Sequence, residues 1–409
     1  MYDIIIVGAG AAGLSSATWA SITKKNISIL ILEKGNKCGR KLSASGNGKC
    51  NITNSIFSEA CYHSFNDGFI SEFVNTHSNS EIIDFFNKCG IMVYEKDNYF
   101  YPTSNQAKQV TSRFLEICKA HKVELEYDQC VTDIKVDNDN CYIVKTTDNE
   151  YRTRKVIIAS GSASCPELGG SDTGFELLKK MGIRETDIYP VLSPIYVDDK
   201  YISTASGVRL NAVVSLKKDG ELIKETGQLQ INRDNLSGIA IMNLSCYLPM
   251  LGKDSLKDCI YVDCLPEVSW EELKKFINSQ VFAHRVNNVL SILEGLFTTQ
   301  FAKYILDRVH IEYDCGIEKL SEKVINKITS NIKKMTFTPI CKYDINKSQA
   351  SLGGVSTDEI DWSSYESLKY RGLYIVGEAL DMTGKCGGYN LMFAFISGIN
   401  AIKHAIKDI

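Results

Sequence analysis

Tyr2-Asp3-Ile4-Ile5-Ile6-Val7-Gly8-Ala9-Gly10-Ala11-Ala12-Gly13-Leu14, continued by Ile27-Ser28-Ile29-Leu30-Ile31-Leu32-Glu33, is the stretch that decides the fold. Tyr2–Val7 is a short, nearly unbroken apolar run, as a strand buried on both faces requires. Three glycines follow in the spacing Gly-x-Gly-x-x-Gly, then a segment of helical character to about Thr23, then a second apolar run that stops at Glu33. Strand, glycine turn, helix, strand and acid, in that order, form the fingerprint of a dinucleotide-binding βαβ unit. Gly8 allows the tight turn, Gly10 lets backbone approach a pyrophosphate, and Gly13 lets the helix pack close to the strand. The helix amino end, at Ala12 and Gly13, offers N–H groups and partial positive charge to phosphates. Glu33 lies 33 − 13 = 20 residues after Gly13, the spacing of a carboxylate that grips ribose hydroxyls, and Lys34 stands beside it.

With 44% hydrophobic and 23% charged residues, the chain has the composition of an ordinary soluble globular protein. Its 409 residues suffice for two or three domains. The net charge of −3 and the lack of a basic run predict no nucleic-acid partner. No apolar stretch approaches the roughly 18 residues of a membrane span, and an opening directly on a strand predicts no signal peptide. The 14 cysteines are scattered without a Cys-x-x-Cys pair, which predicts reduced thiols in a cytoplasmic protein. None of the six histidines is in ligand spacing with a cysteine, so no metal is expected.

Beyond Glu33 comes Gly39-Arg40-Lys41, then Ser43-Ala44-Ser45-Gly46-Asn47-Gly48-Lys49-Cys50-Asn51. This small, polar stretch reads as a loop wrapping something polar, since it leaves the strand end where ligands of such sheets lie. Helices are expected at about 68–77, 80–88, 107–121 and 175–181, the last capped by Asp172 or Thr173. Strands are expected at Val123–Tyr127, Val131–Val136 and Tyr142–Thr147, with a hairpin turn at Asp137–Asn140. Lys155–Ile158 reads as a buried parallel strand ending at Ala159-Ser160-Gly161, small residues that let a cofactor come close. From about Pro190 the pattern turns to strands, with a hairpin at Lys218-Asp219-Gly220-Glu221. Ser269-Trp270-Glu271-Glu272 is a capping box that opens helices at Glu271–Ser279, Arg285–Leu293, Thr298–Val309 and Glu318–Lys333. Strand character returns over Thr336–Tyr343. The chain then closes with an apolar strand, Leu373–Val376, running into Gly377-Glu378, then Asp381, Gly387-Gly388-Tyr389-Asn390 and a long helix from Leu391.

The expected fold class is therefore α/β: a Rossmann-type dinucleotide-binding domain built from both chain ends, with an inserted β-rich domain and a small helical domain. The expected boundaries are 1–190 and 351–409 for the first domain, 191–265 for the β-rich insert, 266–334 for the helical part, and 335–350 for the return strand.

These motifs together resemble the three-domain bacterial flavoproteins of the glutathione-reductase-like FAD superfamily, a family that includes aminoacetone oxidase and bile-acid 3-dehydro-4,6-reductase enzymes. The resemblance rests on Gly8–Gly13, Glu33, the Gly39–Asn51 block, Val156–Gly161, Leu236-Ser237-Gly238 and the closing Gly372–Leu391 block. It implies FAD as the bound cofactor. By that likeness Glu33 holds the adenosine ribose, Arg40 and Lys41 lie near the adenosine and pyrophosphate, and Val131 offers backbone to adenine. Gly377, Glu378 and Asp381 run along the pyrophosphate and ribityl chain, and Gly388, Tyr389, Asn390 and Leu391 lie by the flavin ring. A helix opening after Gly387-Gly388 would aim its positive end at that ring and raise its electron affinity.

The chain departs from the family pattern at Gly46-Asn47-Gly48-Lys49, where a second glycine and an arginine are expected, and at Gly227–Asp234, which stands in place of a threonine–histidine stretch. No second Gly-x-Gly-x-x-Gly exists, so NADH or NADPH would bind only transiently. The expected activity is hydride transfer through the flavin, from NAD(P)H to a conjugated carbonyl or similar small organic substrate. The alternatives are an amine oxidase using dioxygen and a flavin-containing RNA-modifying or binding protein. The substrate is expected between the domains, with Tyr99–Pro102 as an apolar wall. No catalytic side chain or oligomeric state can be read from the sequence.

Overall fold

The computed structural model describes residues 1–24, 26–283, 286–340 and 342–409, apart from the side chains at 253 and 254. The chain divides into two compact units, Met1–Pro190 with Ile345–Ile409, and Val191–Asp344.

The first unit is built on five parallel strands, β1 (Tyr2–Val7), β2 (Ile29–Leu32), β3 (Glu124–Glu126), β4 (Glu150–Ile158) and β5 (Leu373–Ile375). Their spatial order is β3-β2-β1-β4-β5, with Val7 opposite both Leu32 and Ile158, and Ile158 opposite Ile375. The order reverses between β1 and β4, and such switch points are where ligands of open α/β sheets bind. The apolar runs read from the sequence are fully enclosed: Ile4, Ile5, Ile6, Leu30, Val156, Ile157 and Ile158 have no exposed surface. The amino half of β4 also pairs with the hairpin Val131–Val136 and Tyr142–Thr146, whose turn carries Asn140 at φ +58°.

Two helices close this sheet, α1 (Ala11–Thr23) and α2 (Tyr389–Ala405). They come from opposite ends of the sequence yet pack backbone to backbone. A Cβ on Gly398 would lie 2.4 Å from the Ala12 carbonyl oxygen. Ser16 Oγ donates to the carbonyls of both Ala12 and Gly398, at 2.8 Å each. Such close approach needs glycine, which explains its place in the middle of a helix despite its entropic cost.

Several local expectations differ from what is observed. Arg40–Ala44 is a short helix rather than loop, and it buries Leu42 in the core. Asp172 is the N-cap by position, its carbonyl accepting from Glu176 N at 3.0 Å, but its side chain makes no capping bond. Ser171 supplies one instead, its Oγ accepting from Thr173 N at 3.2 Å, because Asp172 already has helical backbone angles.

The second unit has its own core. Its sheet is antiparallel, in the order Ile195–Tyr196, Asn235–Ser237, Glu221–Ile231, Arg209–Lys218, Ile260–Asp263, Met335–Phe337. The hairpin at Asp219-Gly220 is present, both residues at positive φ as the tight turn demands. The capping box at Ser269 and Glu272 is present and opens helix Trp270–Ala283. Helices Val289–Glu294, Thr299–Val309 and Glu322–Lys333 share the core of the sheet. His284 and Arg285, where another helix was expected to begin, lie outside the described residues, as does Cys341. The return strand is only Met335–Phe337, shorter than the sequence suggests.

Candidate functional site

The site is built where β1 and β4 end side by side. Gly8, at φ +102°, has no room for a side chain: a Cβ there would lie 2.5 Å from the Ala159 carbonyl oxygen at the end of β4. Gly13 is equally constrained, its would-be Cβ 2.0 Å from the Gly8 carbonyl oxygen. Gly10 is the opposite case. A Cβ there would meet nothing within 4 Å, and the same holds for Gly161 just beyond β4. Gly10 and Gly161 thus leave an open cradle beside the ends of β1 and β4, with no described residue within 4 Å of either would-be Cβ.

The amino end of α1 faces this cradle bare. Gly10 is its N-cap, no side chain caps the helix, and no acid lies in its first turn. The first N–H groups of a helix have no partner inside it, so they remain available to an anion. The amino end of α2 is bare in the same way. Gly388, at φ +95°, is the N-cap, and the first turn again carries no acid and no side-chain cap. Close beside it is Asn51, whose Oδ1 is buried without a hydrogen-bond partner and lies 3.0 Å from where a Gly388 Cβ would stand. An orphaned acceptor and two uncapped helix ends are what a polar ligand with anionic groups would satisfy.

Other residues expected in the site fall into three groups. Glu33 is held at the cradle's outer end, its two oxygens accepting from Ala9 N and Gly35 N, both at 2.8 Å. Each oxygen keeps a lone pair for a hydroxyl. Arg40 lies at this end, donating to the Glu167 carbonyl, while Lys34 is exposed. Val131 is buried two residues beyond Gln129, whose N–H donates to the Glu33 carbonyl at 2.9 Å.

Lys41 parts from Arg40 and joins the second group. Its Nζ pairs with Glu378 Oε2 at 3.0 Å and donates to Ser164 Oγ at 2.7 Å. Ser164 Oγ and Ser351 N in turn donate to Glu378 Oε1, at 2.8 and 3.1 Å. Three of the four acceptor positions of Glu378 are therefore filled, and one on Oε2 remains. Ser162, Ser164 and Ser351 were missed in the sequence reading. The run Ser160-Gly161-Ser162-Ala163-Ser164 after a buried strand was the available signal. Ser160 itself turns away, its buried Oγ lacking a partner and lying 1.9 Å from a would-be Cβ of Gly174.

The third group surrounds the opening of α2. Asn390 spends its amide on Gly384, accepting from its N–H at 2.8 Å and donating to its carbonyl at 2.7 Å. The Tyr389 hydroxyl donates to the Ile56 carbonyl at 2.8 Å. Both side chains thus hold the turn that opens α2. Gly377 packs on Ala12, with 3.1 Å between its would-be Cβ and that methyl. Asp381 is buried, its Oδ2 accepting from Phe65 N at 2.8 Å and Ser64 Oγ at 3.1 Å, and burial raises its carboxyl above the ordinary range. It acts as an internal tie to the Ser64–Phe65 segment.

Gly46, Asn47, Gly48 and Lys49 are exposed, with Gly46, Asn47 and Gly48 at positive φ, and Ser45 Oγ donates to Leu42 O. Cys50, by contrast, has no exposed surface, and burial pushes its thiol up to about 12. A thiol held protonated is a poor nucleophile and a poor redox partner. Iodoacetamide at pH 8 is therefore expected to leave Cys50 unmodified while exposed thiols are consumed. Rapid alkylation at residue 50, read by peptide mapping, would contradict this burial.

Among the described residues, no cluster could hold a metal ion and no helix is long and apolar enough to cross a membrane. None of the described cysteines is in a disulfide.

Residues 2–404 match the family described as the HI0933-like protein Rossmann domain. The chain belongs to the HI0933-like family. This HI0933-like chain is 28% identical, over the full length of both, to a Clostridium scindens protein named 3-dehydro-bile acid delta(4,6)-reductase. It is 26% identical to an Escherichia coli protein named ribosomal RNA dihydrouridine synthase, over 97% of this chain and 96% of that one. Among solved structures, 3-ketosteroid delta1-dehydrogenase from Sterolibacterium denitrificans has a similar fold, with a TM-score of 0.51 over the whole of both chains at 13% identity. The HI0933-like chain is thus an oxidoreductase of the FAD-binding Rossmann class.

Proposed function

We propose that this protein reduces a carbon–carbon double bond conjugated with a carbonyl in a small organic substrate, using FAD and a transiently bound NADH or NADPH. The observation that carries the reaction class is a coincidence of chemistry between two relatives with unlike substrates. A 3-dehydro-bile acid delta(4,6)-reductase and a dihydrouridine synthase are both named for saturating a double bond next to a carbonyl. Saturating an enone would add a hydride at the carbon distant from the carbonyl and a proton at the nearer one.

The site supports FAD as follows. Glu33 would take the adenosine ribose, and the bare end of α1, with Gly10 and Gly161 open before it, would take the pyrophosphate. The last free position of Glu378 would accept a ribityl hydroxyl. The bare end of α2 and the Asn51 acceptor would meet the polar edge of the ring. The crossing at Ala12 and Gly398 lies eight residues along α2 from Asn390, about 12 Å at the helix rise. Bound there, FAD would supply two-electron transfer through its ring N5. The protein's own part is electrostatic: Lys41 is neutralised by Glu378, so the positive ends of two helices set the field.

The test is to purify the protein with its flavin and mix it, without oxygen, with NADH and with NADPH. Bleaching of the flavin absorbance, followed by return of colour on adding an α,β-unsaturated ketone, is expected. Hydrogen peroxide from aminoacetone without nicotinamide would replace this reading with an amine oxidase. Recolouring by a uridine-bearing RNA transcript, and by no ketone, would move the substrate to RNA.

A further inference from the structure

The hairpin Val93–Lys96 and Tyr99–Pro102 pairs with Thr53–Asn54 into a small three-stranded sheet, with Tyr99–Pro102 in the middle. Residues directly opposite one another in an antiparallel pair share a face, and faces alternate along each strand. Tyr99 stands opposite Asn54, and Tyr94 stands opposite Tyr101. One face therefore carries Asn54, Tyr99, Tyr101 and Tyr94 together, with the exposed Lys96 opposite Tyr99 at its edge. The three rings form a ladder, with centroids 6.4 Å apart from Tyr99 to Tyr101 and 6.0 Å from Tyr101 to Tyr94, and planes tilted by 39° and 37°.

The other face of this sheet carries Thr53, Phe100, Glu95, Val93 and Pro102; it meets the core at Thr53 and Val93, while Phe100 is half-buried and Glu95 exposed. Thr53 is fully buried, with Oγ1 3.0 Å from Met392 Sδ on α2, and Val93 packs against the core. None of the three tyrosines is part of that core, and all three are only half-buried. The ladder starts at the candidate site. Asn54 Nδ2 donates to the Gly387 carbonyl at 3.2 Å, in the turn that opens α2. Its far end is fixed, the Tyr94 hydroxyl donating to Asn105 Oδ1 at 2.6 Å. Tyrosines held this way present flat, amphipathic surface at little entropic cost.

We propose that Tyr99, Tyr101 and Tyr94 form the substrate platform, on which a flat, fused-ring conjugated ketone lies with its reacting end toward the opening of α2. A row of three rings extends past any single six-membered ring, so the platform favours fused-ring over single-ring substrates. This rests on the reductase reading above.

The test compares turnover of 4-androstene-3,17-dione, a flat fused-ring enone, with 2-cyclohexen-1-one, using whichever of NADH or NADPH bleaches the flavin. Tyr99→Ala and Tyr101→Ala are each expected to raise KM for the steroid about 10-fold or more. They are expected to leave kcat, flavin bleaching and the cyclohexenone KM within about two-fold, and Tyr101→Phe is expected to behave as the unaltered protein. Should alanine loosen the hairpin and release flavin, Tyr101→Leu keeps the bulk without the flat face and gives the same reading. Steroid KM values within two-fold in these variants, or an equal rise for both ketones, overturn the platform alone. An unaltered protein that is bleached by nicotinamide yet reduces neither ketone overturns the reductase reading and the platform with it.

Discussion

Gly10→Val is expected to yield a folded protein with a much weakened hold on FAD, whereas Gly13→Val is expected to yield no folded first unit. The two glycines are three residues apart and read alike in the sequence, but the space around them differs. Gly10 has extended backbone angles, φ −81° and ψ −165°, that any residue adopts, and its Cβ would meet nothing within 4 Å. Gly10 is half-buried and is the α1 N-cap, a position that disfavours valine, so the substitution is expected to cost the empty protein about 1 kcal/mol, less than folding requires. The valine methyls would project into the cradle assigned to the pyrophosphate, and an FAD affinity lower by about 100-fold, or ~2.7 kcal/mol, is expected. At Gly13 the Cβ would lie 2.0 Å from backbone, the Gly8 carbonyl oxygen. No rotamer relieves that, so β1 and α1 would have to separate. Flavin absorbance of the purified variants and their urea midpoints check both halves. A yellow Gly10→Val protein would place the nucleotide elsewhere.

Arg308→Leu is expected to lower the stability of the second unit by about 3–5 kcal/mol, the usual result of removing one partner from a buried ion pair. Arg308 pairs with Asp199, donates from Nη1 to the Tyr304 hydroxyl at 3.0 Å and from Nη2 to the Thr336 carbonyl at 2.8 Å. Its guanidinium carbon lies 4.9 Å from the centre of the Phe337 ring. The Asp199 side chain is only 7% exposed, so the substitution strands a carboxylate that water barely reaches. Adding Asp199→Asn should recover part of the loss, because neighbours in one network are coupled. Urea unfolding followed by a probe in Val191–Asp344 measures this. A loss under about 1 kcal/mol would mean that the pair is no more than a surface bridge.

What the sequence disclosed is what depends on near neighbours. The strand–glycine–helix–strand–acid order of Tyr2–Glu33, the turns at Asn140 and Asp219-Gly220, and the box at Ser269 and Glu272 are all set within a few residues. The buried strand before Ala159 was likewise legible as a local apolar run, but its place beside β1 was not. What stayed hidden depends on distant partners. Arg40 and Lys41 are adjacent and look equivalent, but Lys41 meets Glu378 from the far end of the chain, and nothing near residue 41 announces it. Cys50 sits in a glycine-rich polar block, yet it is itself at φ +62°, after Gly46, Asn47 and Gly48 at positive φ, and its thiol is buried. Tyr99 and Tyr101 were visible as an aromatic run. Their alignment with Tyr94 and Asn54 required strand register, which side-chain types alone do not set.

The insertion of Val191–Asp344 ahead of β5 and α2 has a consequence for synthesis. When β4 has left the ribosome, its outer edge at Val156, Ile157 and Ile158 has no neighbour, because β5 lies 373 − 158 = 215 residues downstream. At ribosomal elongation rates that wait is roughly 11 to 43 s. Throughout it an apolar strand edge stands open to other nascent chains, and α1 lacks the helix that covers it. Slowing elongation within the insert is therefore expected to lengthen the period of aggregation risk.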